Sequence, residues 1–78
     1  MLEKLKDIIT NVAKVPGEKI TENAVLMDLV GESFVLVELM LAIQEDFGVD
    51  FLHEDLDEVE TVADLCKLIN DKMAAEKT

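Results

Sequence analysis

The 78-residue sequence has no tryptophan and no tyrosine, and it has only three phenylalanines, one proline, one cysteine and one histidine. A single cysteine cannot form an internal disulfide, so nothing in the composition indicates an oxidising compartment. His53 and Cys66 are too few to form a zinc site. With so few aromatic rings, the core must be aliphatic, and aliphatic side chains and methionines repack more easily than rings.

Positive charge is scarce where negative charge is dense. The stretch from Thr21 to Cys66 contains thirteen Asp and Glu and no Lys or Arg, and the whole chain has a net charge of −11. Such a surface repels nucleic acids and anionic lipids, which we exclude as partners. Proteins with basic patches are the expected partners, because opposite charge accelerates their encounter.

Long apolar runs are also missing. The start of the chain is charged and periodic, unlike a signal peptide, and no segment supplies the roughly 20 apolar residues that cross a bilayer. We therefore expect a cytoplasmic protein without stable membrane insertion. The length predicts one small domain, residues 1–78.

Helical periodicity is the main pattern that is present. Apolar residues recur at helical spacing from Leu2 to Val15, and Pro16-Gly17 then ends the first predicted helix. Residues 16–32 are predicted to form a long loop. Its apolar cluster, residues 24–30, is too short for a stable helix of its own and is expected to lie across the core.

A second helix is predicted from Ser33 to Phe47, followed by a short acidic helix over residues 53–59. Thr61 and Asp64 are spaced as a capping box at the start of a last helix, which gives way to a polar tail over residues 74–78. The predicted fold class is all-α: a small four-helix bundle of three longer helices and one short one.

The second predicted helix is unusually apolar, since nine of the ten residues 34–43 are hydrophobic. A helix in so small a protein cannot bury its whole circumference. Part of its apolar surface must stay exposed, and a contiguous exposed patch usually marks a contact site. The candidates for exposure are Val35, Leu36, Leu39 and Leu41.

No catalytic or metal-binding pattern is present. The only serine, Ser33, has no G-x-S-x-G motif around it, and His53 lies in a different segment, so we expect no enzyme. Residues 46–57 resemble a calcium loop, but Phe51 replaces its required glycine and Asp57 its final glutamate. We predict no metal site.

Ser33 itself allows two interpretations. A serine at a helix start often caps the helix by accepting a hydrogen bond from a backbone N–H. The lopsided charge around Ser33 and the apolar helix that follows favour instead a hydroxyl that other proteins modify. A phosphate there would be favoured by the helix dipole and opposed by the neighbouring acids.

The chain resembles the acyl carrier proteins over nearly its whole length. The resemblance is carried by Gly31-Glu32-Ser33-Phe34, Val37-Glu38-Leu39 and Glu45-Asp46-Phe47, together with the acidic short helix and the Thr61-Val62 helix start. It implies that a phosphopantetheinyl transferase attaches 4′-phosphopantetheine to Ser33 and that the thiol of this arm carries acyl chains as thioesters. It further implies a free-standing monomer without catalysis of its own, serving enzymes of fatty-acid, lipid or polyketide biosynthesis.

The resemblance also implies a partner-binding surface. Glu32, Glu38 and Glu45 match positions where the family offers acids to basic docking patches on acyl-processing enzymes. Phe34, Val37 and Leu41 match positions of apolar contact near the arm. The soft interior between the last three predicted helices would shelter the acyl chain.

Three positions depart from the family pattern: Glu32 replaces the usual Asp, Phe34 the usual Leu, and Val35 a common acid. These changes favour a specialised carrier over the general housekeeping one. An alternative is an unmodified acidic adaptor that binds partner proteins through the second helix. An aminoacyl or peptidyl carrier fits less well, because such carriers tend to be less negative.

Overall fold

The structure, a computed structural model, describes the backbone of residues 2–76 and the side chains of residues 2–74. Within these residues the chain forms five α-helices and one 3₁₀ turn: α1 Leu2–Ala13, the 3₁₀ turn Gly17–Lys19, α2 Leu26–Val30, α3 Ser33–Phe47, α4 His53–Glu58 and α5 Val62–Glu76. The longer helices α1, α3 and α5 and the short α4 confirm the predicted all-α bundle.

The core is aliphatic, as the scarcity of aromatic residues predicted. Helix α1 packs against α3, and α2 also packs against α3. No phenylalanine and no polar or charged side chain is fully buried among the described residues. One cluster of buried side chains fills the centre: Leu5, Ile9, Ile20, Leu26, Val30, Leu39, Met40, Ile43, Val62, Leu65 and Ile69.

Helix α1 ends at Ala13, two residues before the predicted end at Val15. Lys14 adopts the left-handed conformation (φ 60°), which stops the helix, although its N–H still donates to the Thr10 carbonyl at 3.0 Å. Pro16 contributes to this early end, because the residue before a proline disfavours helical geometry.

The connection between α1 and α3 contains helix α2, so the prediction of a loop throughout residues 16–32 was wrong. Leu26 and Val30 are buried, so the cluster does lie across the core as expected. Two long-range bonds stabilise its entry: the Leu26 N–H donates to the Glu60 carbonyl at 2.9 Å, and the Val62 N–H donates to the Ala24 carbonyl at 3.0 Å.

Helix α5 begins with the predicted capping box. The Asp64 N–H donates to the Thr61 hydroxyl at 3.2 Å, and the Asp64 carboxylate accepts from the Thr61 N–H at 3.1 Å. The N–H of Thr61, and then that of Glu60 at 3.2 Å, donate to the Asp64 carboxylate and lower its pKa. The polar tail expected from Ala74 is still helical as far as Glu76, and residues 77–78 lie outside the described residues.

No helix among residues 2–76 has the length and apolarity required to cross a membrane.

Candidate functional site: an exposed serine and the groove beside it

Ser33 is the first residue of α3, and its side chain is exposed. The N-cap position belongs to Glu32, whose backbone is extended (φ −143°, ψ 148°) and whose side chain makes no capping hydrogen bond. A serine caps a helix from the N-cap position, so Ser33 lies one residue too late for that role. Its hydroxyl is therefore placed at the surface without serving as the helix cap.

A two-residue connection between α2 and α3 determines where Ser33 lies. Only Gly31 and Glu32 separate α2 from α3. Gly31 is in the left-handed conformation (φ 81°), and its N–H donates to the Met27 carbonyl at 2.8 Å, which ends α2. A left-handed residue at this point reverses the chain sharply and suits glycine, which has no Cβ. The start of α3 is thereby fixed relative to the core.

The exposed side of α3 combines apolar and acidic side chains. Phe34 is 67% exposed, Leu41 55% and Val37 49%. Glu38 and Glu45 are also exposed. At 100° per residue these five side chains fall within one sector of the helix, which we call the α3 face: Phe34, Val37, Glu38, Leu41 and Glu45. Exposed Glu32 precedes it.

The structure thus brings five of the six predicted partner-binding residues to one sector of α3, and the sixth, Glu32, is exposed directly before the helix. The prediction that α3 could not hide its apolar surface is confirmed, but the residues differ in part from those proposed. Of the four candidates, Leu41 is exposed, Val35 and Leu36 are half-buried, and Leu39 is fully buried. The most exposed apolar side chain is Phe34, next to Ser33.

A groove of about 150 Å³ lies between α3 and α4. Its α3 residues continue the row that starts at Ser33, because Val37, Met40 and Gln44 follow it at the helical spacings i+4, i+7 and i+11. At a rise of about 1.5 Å per residue, the groove extends from about 6 Å to about 16 Å along the helix from Ser33. Its lining residues are Val37, Met40, Leu41, Gln44, Phe51, Leu52, His53 and Leu56.

The groove has a closed floor, and one of its walls, α4, is attached to the rest of the protein by few buried contacts. Met40 is only 4% exposed and forms the floor above the core. The opposite wall, α4, contains no fully buried side chain. Lys72 on α5 pairs with Asp55 on α4 at 2.8 Å, and the Asp55 carboxylate also accepts from the Leu52 N–H at 2.7 Å.

Both contacts favour the ionised carboxylate. The Lys72 ammonium first, and then the Leu52 N–H, hold the pKa of Asp55 below its ordinary value of 3.8. The Asp55–Lys72 pair therefore attaches α4 to α5 at neutral pH.

At its far end, the groove is bounded by the loop between α3 and α4. The side-chain carbonyl of Gln44 accepts a hydrogen bond from the Phe51 N–H at 2.8 Å. The backbone carbonyl of Gln44 accepts from the N–H groups of Gly48 at 2.9 Å and Val49 at 3.3 Å. Gln44 thus contacts the loop through both of its carbonyl groups.

Of the residues that line the groove, Val37 and Leu41 were predicted from the sequence as apolar contacts near the arm, and the others were not. Gln44 carried a detectable signal, since it is an uncharged polar residue in register with Ser33 on α3. The contributions of Phe51, Leu52 and Leu56 carried none, because they depend on how α4 returns to α3.

The remaining candidates occupy ordinary structural positions. His53 is exposed at the start of α4, as expected of a surface residue. Cys66 is half-buried against the core, and this burial raises the pKa of its thiol. Asp46, in the segment tested as a calcium loop, pairs with Lys4 at 3.4 Å. Among the described residues, no three metal-ligating side chains converge.

A helical bundle with an exposed serine at the head of an acidic helix, beside an apolar groove, defines a small carrier domain. Residues 3–69 match the family described as "Phosphopantetheine attachment site". The chain is also 38% identical over 76 residues to an acyl carrier protein of Thermosynechococcus vestitus, covering 96% of this chain and 94% of that protein. The chain belongs to the acyl carrier protein family.

Family membership establishes the kind of work this protein does. It is a carrier and not an enzyme, and it holds acyl chains as thioesters on a 4′-phosphopantetheine arm. A transferase that attaches the arm and enzymes that process the acyl chains are its functional partners. The structure suits such an arm, because it offers an exposed hydroxyl beside an apolar groove with a closed floor.

Proposed function

We propose that Ser33 is the attachment residue and that the groove between α3 and α4 shelters the acyl chain. The observation that carries this proposal is the row Ser33, Val37, Met40 and Gln44, which runs from the exposed hydroxyl along the groove. A chain tethered at the head of this row can fold back along it. Because Ser33 is the only serine, no other serine competes for this assignment.

The start of α3 suits the phosphodiester that attachment creates. Ser33 is the first residue of a fifteen-residue helix, whose dipole and unpaired N–H groups favour an anion at this end. The adjacent Glu32 carboxylate opposes a second negative charge. A flexible, exposed linkage lets both anions remain in water, where repulsion over several ångströms is weak.

We propose the α3 face, together with Glu32, as the docking surface for the transferase and the acyl-processing enzymes. Glu38 and Glu45 are two helical turns apart, about 10.5 Å along the axis, with Leu41 between them. This spacing suits a partner that places two basic side chains on either side of a shallow apolar pocket. Exposed charges at such an interface mainly raise the rate of encounter, which suits a carrier that visits several enzymes.

We further propose a specialised carrier. Val35 stands where the family commonly has an acid, so α3 offers no acid between its first residue and Glu38. The 67% exposed ring of Phe34 takes up the neighbouring surface. Partners adapted to this carrier therefore need an apolar recess close to the attachment serine. Within this proposal, a monomeric single-domain carrier serves fatty-acid, lipid or polyketide synthesis in the cytoplasm, and nucleic acids and membranes are not partners.

The test of attachment is the mass of the intact protein. Incubation with coenzyme A and a broad-specificity phosphopantetheinyl transferase should add one phosphopantetheinyl group to the wild type and none to Ser33→Ala. Thr21→Ala removes an exposed loop hydroxyl and serves as the control, which should be modified normally. Fragmentation of the modified protein should place the added mass on Ser33.

Failure of the wild type to gain mass, while another acyl carrier protein is modified in the same reaction, would contradict the assignment. That result would favour the unmodified adaptor. An adaptor should bind its partners equally well with and without Ser33, and charge reversal at Glu38 or Glu45 should abolish that binding.

A further inference from the structure

We propose that Gln44 limits the length of acyl chain that the protein shelters, because it holds the α3–α4 loop closed across the far end of the groove. The cargo that follows is acyl chains of which about six carbons are sheltered in the groove. This inference rests on the proposed attachment at Ser33. It concerns a different residue and a different measurement.

Gln44 lies at the far end of the groove from Ser33. It lies eleven residues after Ser33 on the row that lines the groove, at the end remote from the attachment point. Val37 and Gln44 are seven residues apart, so the groove spans about 10.5 Å along the axis. A chain entering from the Ser33 end therefore reaches Gln44 last.

Gln44 binds the loop between α3 and α4. Its side-chain carbonyl accepts from the Phe51 N–H at 2.8 Å, and this bond is partly buried. The loop between these two residues is otherwise bound to the end of α3 through the backbone carbonyl of Gln44. Without the side-chain acceptor, the N–H of Phe51 would lose its hydrogen bond, and the loop would be held less tightly across the far end of the groove.

The size of the groove, with the Phe51 loop in place, limits how much of a chain it can hold. A dry apolar cavity of about 150 Å³ holds a six-carbon hydrocarbon such as benzene, and the groove has about this volume. The groove does not continue into the core, since Met40 is 4% exposed and Ile43 is fully buried. Carbons beyond about the sixth must stay in solvent or displace the Phe51 loop.

Gln44 is thus a positioning residue that acts through Phe51, and its removal should change the length limit as well as the stability. Gln44→Met removes the acceptor at similar side-chain length. Gln44→Glu keeps an oxygen that can accept from Phe51. Asn70→Met makes a comparable amide-to-thioether change at an exposed position on α5, away from the groove.

The experiment uses the phosphopantetheinylated protein loaded with linear saturated acyl groups of four, six, eight and ten carbons. The thermal midpoint of each form is compared with that of the same variant carrying the free thiol. Each sheltered carbon should raise the midpoint, because it removes apolar surface from water. The wild type, Gln44→Glu and Asn70→Met should reach a plateau near six carbons, whereas Gln44→Met should continue to rise to eight or ten.

A second readout needs no acyl chain. Hydrogen exchange at the Phe51 amide should be about two- to tenfold faster in Gln44→Met than in the wild type and unchanged in Gln44→Glu. The inference would be overturned if the thermal midpoints of wild type and Gln44→Met stopped rising at the same chain length. It would also be overturned if the wild-type midpoint still rose at ten carbons. Unchanged Phe51 exchange in Gln44→Met would also overturn it.

These failures differ from failure of the proposed function. If Ser33 is not the attachment residue, the expected phosphopantetheinyl mass is missing before any acyl group is loaded. If only the length limit is wrong, the protein is fully modified and its plateau does not respond to Gln44. The wild-type plateau is a test in itself and needs no variant to fold.

Discussion

Asp55 on α4 and Lys72 on α5 form an ion pair of 2.8 Å. The pair joins α4, which contains no fully buried side chain, to the long helix α5. Both side chains are partly shielded, with 15% and 25% of their surfaces exposed. Since α4 forms a wall of the groove, this pair helps to determine where that wall stands. Low pH should weaken this contact, because it protonates the Asp55 carboxylate.

Asp55→Asn is expected to lower stability at neutral pH but not in acid. The pKa of Asp55 is lowered in the folded state by Lys72 and by the Leu52 N–H, so its ionised form stabilises the fold. That stabilisation is complete well above its ordinary value of 3.8 and is lost as the pH falls through the lowered folded value. Urea unfolding of the two proteins from pH 7 to pH 3 should show their free energies of unfolding converging.

The matched control is Asp57→Asn, which neutralises an exposed acid of the same helix. It removes the same charge from a strongly acidic protein without removing the bond to Lys72. A difference between Asp55→Asn and wild type that stays constant across the pH range would show that the ion pair does not stabilise the fold.

Gly31→Ala is expected to destabilise the protein by about 1–2 kcal/mol and to slow modification of Ser33. The cost arises from the left-handed backbone (φ 81°), since nothing lies within 4 Å of the added Cβ. The connection that aims the start of α3 would relax, and the transferase would meet a less ordered serine. Urea unfolding gives the free energy, and the rate of mass gain measures the modification.

Gly17→Ala is the matched control, because its added Cβ also meets nothing within 4 Å and its backbone is not left-handed. It is expected to be neutral or to stabilise by up to about 1 kcal/mol through the unfolded state. Equal losses in the two variants would contradict the role given to the backbone of Gly31.

Charge reversal on the α3 face is expected to slow partner encounter. Glu38→Lys and Glu45→Lys should each lower the association rate with the transferase severalfold at low salt, and the loss should shrink as salt rises. Glu18→Lys makes the same change in net charge in the 3₁₀ turn, outside the α3 face. Stopped-flow measurements over a salt series would compare the three, and an equal loss for Glu18→Lys would indicate a net-charge effect without a docking surface.

The features predicted from sequence were those fixed by contacts between near neighbours. The bounds of α3 followed from its apolar run and from Gly48, and the capping box followed from the spacing of Thr61 and Asp64. The helical state of α2 was missed because its stability depends on burial of Leu26 and on a bond to Glu60, which lies 34 residues away.

The features of the candidate site also separate into those fixed by near neighbours and those fixed by distant contacts. The exposure of Ser33 and the mixed apolar and acidic character of α3 could be inferred from residue types along one helix. The groove could not, because half of its lining comes from residues 51–56, whose placement depends on the Asp55–Lys72 pair and on the Gln44–Phe51 bond. Each of these contacts joins residues that no local pattern links.

Phe34→Leu tests whether the ring beside Ser33 selects partners. With 67% of its surface exposed, Phe34 contributes little to the core, so the substitution should change the free energy of unfolding by less than about 0.5 kcal/mol. It should nevertheless raise kcat/KM with enzymes that serve carriers bearing leucine at this position, because the smaller side chain fits their recess. Parallel assays of wild type and Phe34→Leu with such an enzyme give the ratio of their kcat/KM values.

Met27→Leu is the control, a comparably conservative change at an exposed apolar residue of α2, and its kcat/KM should equal that of the wild type. If Phe34→Leu also leaves kcat/KM unchanged, the ring does not discriminate among partners, and specialisation must arise elsewhere on the α3 face.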